Sequence, residues 1–137
     1  MTNISRTPLG EQEQTKLFNE LSHVIGKLSE PNIRLFLTEL LGPEEKIMII
    51  KRFAAIVLLE KGYSISQTAK TLKLSTSTLN KLNRDRHKGK FINISQWLEG
   101  NHHQAKRFIK LLDSIFTLGD TLPYYGKQSQ FLKKVKK

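Results

Sequence analysis

The sequence predicts an all-α helical bundle, and three observations carry that expectation. Apolar residues recur three and four positions apart over long stretches, the spacing that lines one face of a helix. Helix punctuation falls between those stretches, at Pro31, Gly42-Pro43, Gly62, Gly89, Gly119 and Pro123. No segment alternates apolar and polar residues convincingly, residues 91–94 being the nearest approach to a strand.

The elements follow in order. Residues 11–28 read as an amphipathic helix with Leu17, Leu21, Val24, Ile25 and Leu28 on one face. Ser29-Glu30-Pro31 interrupts it, and Pro31 suits the first turn of a second helix reaching Leu41. That helix carries a broad apolar surface of Ile33, Leu35, Phe36, Leu37, Leu40 and Leu41. Gly42-Pro43 opens a third helix, with Glu44 and Glu45 in the first turn, where the helix dipole favours acids. It runs to about Lys61, and Gly62 supplies the stop. Ile47, Met48, Ile49, Ile50, Phe53, Ala54, Ile56, Val57, Leu58 and Leu59 leave this helix little polar surface. Such a helix needs cover on several sides, and in so small a chain that points to a dimer interface as well as a core. Two short helices are expected over residues 66–72 and 76–87, followed by a basic exit from Asn83 to Lys90. One last helix is expected between Ser95 and Leu118, with Trp97 as a core anchor and Gly100 weakening its start.

A chain of 137 residues fits one domain, taken here as residues 1–119, with a basic tail over 120–137. Cysteine is absent, which excludes disulfides, thiolate catalysis and thiolate metal sites. The first ten residues lack an apolar signal core, and the most apolar stretch is broken by Lys51 and Arg52. A cytoplasmic protein without membrane partners is the expectation. The net charge of +11 is unevenly placed. Eight Lys/Arg balance eight Asp/Glu through residue 69, whereas fifteen face four from residue 70 onward. That asymmetry favours a polyanionic partner.

Residues 65–84 have the spacing of a helix-turn-helix. Ala69 is small where two short helices must approach, and Leu72, Leu74, Leu79 and Leu82 occupy the buried positions. Ser75 is placed to cap the second helix. Lys73 stands where the turn usually takes glycine, and a left-handed residue there costs on the order of 1 kcal/mol. Thr76, Ser77, Asn80 and Lys81 are expected to face base edges of double-stranded DNA. Ser66, Gln67, Ser75, Arg84, Arg86 and Lys88 complete the expected DNA-contacting set, chiefly through the backbone.

Around this motif the chain resembles the Trp repressor family, from about residue 40 to residue 84. The residues concerned are Leu40-Leu41-Gly42-Pro43-Glu44-Glu45, Arg52, the segment from Leu58 to Gly62, and the motif itself. Gln96-Trp97-Leu98-Glu99 is compatible too. The resemblance implies an intertwined homodimer whose two recognition helices serve half-sites one DNA turn apart. It also implies a corepressor pocket between Arg52 and the position of Lys81. Three of the four pocket positions depart from that pattern: Lys81 replaces an arginine, Gly42 a threonine and Leu82 a glycine. Lysine lacks the planar fork that stacks on indole, and Leu82 would fill space the indole needs. The departures argue against tryptophan as the ligand.

The expected function is therefore a transcriptional regulator, a repressor, acting on DNA as a homodimer. The alternatives are the DNA-recognition component of a transposition or recombination system, and a basic nucleic-acid binder without sequence preference. No enzyme motif, cofactor or metal is expected. His102 and His103 are adjacent without a ligand-spaced partner, and both read as solvent-exposed.

Overall fold

The computed structural model describes residues 9–116, and among them every regular element is a helix. The contacts divide the chain into two units, up to Ile49 and from Ile50 onward. The basic tail and the end of the last expected helix, from residue 117, lie outside the described residues.

The first unit holds α1 (Glu11–Gly26), α2 (Glu30–Leu40) and the opening turns of α3 (Pro43–Glu60). Pro31 sits in the first turn of α2, where its missing N–H costs nothing. Glu45 reaches back so that its carboxylate accepts the Gly42 N–H at 2.8 Å, half of a capping box at the start of α3. Neither α1 nor α2 has a buried residue. The apolar faces read from the sequence are covered only in part within one chain: Leu21, Ile25, Leu28, Ile33, Phe36 and Leu41 are half-buried and the others exposed. Eleven large apolar side chains between Leu9 and Ile50 are 37–67% exposed.

The second unit contains the core. Along α3 the environment changes abruptly: Ile47 to Ile50 are exposed, whereas Ala54 to Leu59 are buried. Around that buried half gather Leu72, Leu79, Leu98, Ala105, Ile109 and Leu112 from the later helices. Phe53 and Phe108 meet edge to face with centroids 5.1 Å apart. Gly62 takes φ +96 after α3, the left-handed stop its position suggests. There follow α4 (Ile65–Leu72), packed on α5 (Thr76–His87), and α6 (Ile92–Gly100), packed on α7 (His102–Phe116).

Three expectations need correction. The single last helix is two, because Asn101 leaves helical geometry (φ −134, ψ 56) directly after Gly100. Residues 91–94, the nearest approach to a strand, form none, as expected: residues 92–94 begin α6. Trp97 is no core anchor: Leu98 is buried in its place, and Trp97 is 47% exposed. It lines an apolar groove of about 420 Å³ with Phe53, Val57, Leu98, Phe108 and Leu111. Of the two histidines read as exposed, His103 is, but His102 is half-buried, its Nδ1 shielded from solvent.

Tyr63 ties the fold to pH. Burial, and then the negative charge of Asp113, push its phenol up from 10 to about 12. The folded state thus favours the neutral phenol more than the unfolded state does. That stability is fully present below pH 10 and is lost as pH rises from 10 to 12. Denaturation midpoints across this window should fall for the wild type and much less for Tyr63→Phe. Equal falls in both proteins would place the alkaline sensitivity elsewhere.

Candidate nucleic-acid interface

The candidate site is built on α4, α5 and the turn between them. Ser64 caps α4 reciprocally: its Oγ accepts the Gln67 N–H, and the Gln67 Oε1 accepts the Ser64 N–H, both at 3.0 Å. Buried Thr68, Ala69, Thr71 and Leu72 fasten this helix to the core. It ends at Lys73, which adopts φ 57 and ψ 49, the left-handed turn the motif requires. No other non-glycine residue among those described has positive φ. The Lys73 and Leu74 N–H groups both donate to the Ala69 carbonyl, closing the end of α4. Ser75 then caps α5, its Oγ accepting the Thr78 N–H at 3.1 Å and lying 2.8 Å from Thr78 Oγ1.

On α5 the only buried residue is Leu79. Leu74 and Leu82 pack beside it, partly buried against the core. At about 100° per residue, Thr76, Ser77, Asn80, Lys81 and Arg84 fall within an arc of roughly 140° on the opposite side, with Lys88 continuing it. All six are exposed. The order along this arc is hydroxyl and amide groups near the helix start, then cations.

The other predicted residues are placed differently. Ser66 is exposed on the first turn of α4. Gln67 is engaged through its oxygen in the cap, which leaves its amide N–H groups for other partners. Ser75 is exposed, with its oxygen committed to the cap. Arg86 does not lie on the open arc. It is turned back toward α3, Nη1 standing 3.9 Å from Glu60 Oε2, while Nε and Nη2 donate to Asn83 Oδ1 at 3.3 and 3.0 Å. Its guanidinium is thus engaged within the fold rather than presented on the open arc. The signal was available: residues 79, 83 and 86 are spaced by four and three, so they share the face of Leu79.

Two cations that the sequence reading passed over also belong here. Lys70 is exposed one turn after Ser66 on α4, and Lys73 is exposed in the turn. Lys90, by contrast, pairs with Asp85 at 3.5 Å and closes the chain reversal at Gly89. Lys70, Lys73, Lys81, Arg84 and Lys88 have no ion-pair partner among the described residues. Five cations without an ion-pair partner thus lie along α4, the turn and α5, and three of them (Lys81, Arg84 and Lys88) are on the polar arc itself, which carries no acid. Such a surface attracts a polyanion and offers hydrogen-bonding groups at its centre.

For a small-molecule effector the arrangement offers less. Arg52 and Lys81 are both exposed, and neither lines the apolar groove. Leu82 fills its position with a side chain packed on the core. No cluster of three or more metal-ligating side chains occurs among the described residues, and no described helix is long and apolar enough to cross a membrane. Comparison with protein-family models, with curated proteins and with solved structures gives no match.

Proposed function

We propose that this chain is a sequence-specific double-stranded DNA-binding transcriptional regulator, a repressor, that acts as a homodimer through a helix-turn-helix formed by α4 and α5. The observation that carries the reading is the two-sided character of α5. One side is anchored by Leu79, and the other is an exposed arc of Thr76, Ser77, Asn80 and Lys81 flanked by unpaired cations. Short polar side chains at the start of a capped helix suit the major groove, where base edges present donors and acceptors. Ser66, Lys70, Lys73, Arg84 and Lys88 then neutralise or hydrogen-bond phosphates on either side. The Trp-repressor resemblance supports the same assignment of roles, without its corepressor.

The dimer rests on the uncovered apolar surface between Leu9 and Ile50. So many exposed large apolar side chains on a small protein mark an interaction surface. A second copy is the favoured occupant, since two recognition helices give a palindromic site and a protein two-fold axis that match.

Replacing Asn80 with Ala should cost about 1–3 kcal/mol at a cognate site and little at unrelated duplexes, measured by competition titration. Equal weakening at all sequences would remove Asn80 from the base contacts.

A further inference from the structure

We infer that Arg86, Glu60, Asn83 and Ser95 form a clasp that sets the orientation of the recognition helix, so that Arg86 is a positioning residue and not a phosphate ligand. This rests on the functional reading above and adds the device that aims its central element.

Glu60 is the last residue of α3, and its two carboxylate oxygens serve different helices. Oε1 accepts the hydroxyl of Ser95 on α6, and Oε2 faces the guanidinium of Arg86 in the last turn of α5. Arg86 in turn spends its Nε and Nη2 donors on Asn83 Oδ1, one turn earlier on the same helix. One carboxylate thereby joins three helices. The side chains of Arg86 and Glu60 are only 22% and 20% exposed, which limits solvent competition.

The exposed face of α5 needs such a device because its apolar attachment is slender. Leu79 is its only buried side chain, and apolar contact is not directional. A helix held by one short apolar patch, with partly buried Leu82 only one turn beyond it, can still roll about its axis and swing about Leu79. Arg86 lies seven residues further on, roughly 10 Å along the axis on the same side. The Arg86–Glu60 ion pair there, Nη1 to Oε2 at 3.9 Å, supplies the second point of attachment. Roll and swing are then both restrained, and the arc from Thr76 to Lys88 keeps one angle to the core. A partly exposed ion pair adds little to overall stability, so the value of the clasp lies in geometry.

The two roles for Arg86 make opposite predictions for its partner. If Arg86 bound phosphate, removing the competing charge of Glu60 would leave DNA binding unchanged or tighten it. As a clasp, Glu60→Gln and Arg86→Gln should each weaken cognate binding about tenfold. The double variant should be no weaker than the worse single one, and Arg86→Lys should recover part of the loss. The dependence of affinity on salt should keep its slope in all four, whereas loss of a phosphate contact would shallow it by about 0.9. Tighter or unchanged binding in Glu60→Gln, or a shallower slope in Arg86→Gln, would overturn the clasp.

A DNA-free measurement separates this from failure of the functional reading. In the unliganded protein the Arg86 Nη1–H resonances, on the nitrogen that faces Glu60, should be protected from solvent exchange in the wild type and lose that protection in Glu60→Gln. A resonance unprotected in the wild type, or unaltered by the substitution, would overturn the clasp even if the protein binds DNA well. Wild-type protein that binds no duplex would instead sink the functional reading, with the clasp still decided by this resonance.

Discussion

Met48→Glu should convert the protein from dimer to monomer at micromolar concentration and reduce operator affinity by orders of magnitude. Met48 is 56% exposed in a single chain, so a glutamate there meets water and the isolated fold tolerates it. Its neighbours Ile47, Ile49 and Ile50 are comparably open, and four consecutive residues span most of the circumference of α3. Covering the open half of one such side chain contributes on the order of 1 kcal/mol, and eleven of them lie between Leu9 and Ile50. In the proposed dimer a second copy buries that surface, and an unpaired carboxylate in such a seam costs several kcal/mol. The loss should appear as a solution mass near 15.8 kDa in place of twice that value. DNA binding should fall with it, because one half-site retains only its own contacts. A wild-type monomer, or a Met48→Glu protein that remains dimeric, would remove this surface from the interface.

Leu79→Ala should destabilise the protein by about 2–5 kcal/mol, whereas Asn80→Ala, one residue along, should change stability by less than about 0.5 kcal/mol. Leu79 is 0% exposed and is the only side chain that α5 buries fully. Its truncation leaves a cavity among Leu58, Leu72 and the other core residues and loosens the helix from its support. Asn80 has its side chain on the exposed arc and makes no contact the fold depends on. Chemical denaturation separates the two variants, and DNA titration should reverse their ranking once both are measured while folded. Comparable destabilisation by both would mean that the buried and exposed faces of α5 have been exchanged.

Much of this was legible in the sequence because punctuation and periodicity agreed. The bounds of α5 follow from Ser75 and the leucine spacing, and the left-handed Lys73 from the place where glycine is usual. The buried half of α3 follows from its unbroken apolar run. What escaped the reading has identifiable causes. Asn101 breaks the last helix through its backbone angles, a local choice that apolar spacing does not encode. Trp97 is open because neighbouring Leu98 takes the inward position, and periodicity alone does not choose between adjacent apolar residues. Arg86 was grouped with the basic exit by composition, although its spacing from Leu79 and Asn83 puts it on the inner face. Charge counts describe a segment, whereas a helix sorts its charges by angle.

The central claim, that α5 reads DNA sequence within a symmetric dimer, is tested most directly by selecting bound duplexes from a random library at near-physiological salt. The account predicts enrichment of a two-fold symmetric site with half-sites about one helical turn apart, roughly 10 base pairs between centres. Retained binding with no enriched sequence would contradict it, and would make the protein a basic nucleic-acid binder whose polar arc carries no code.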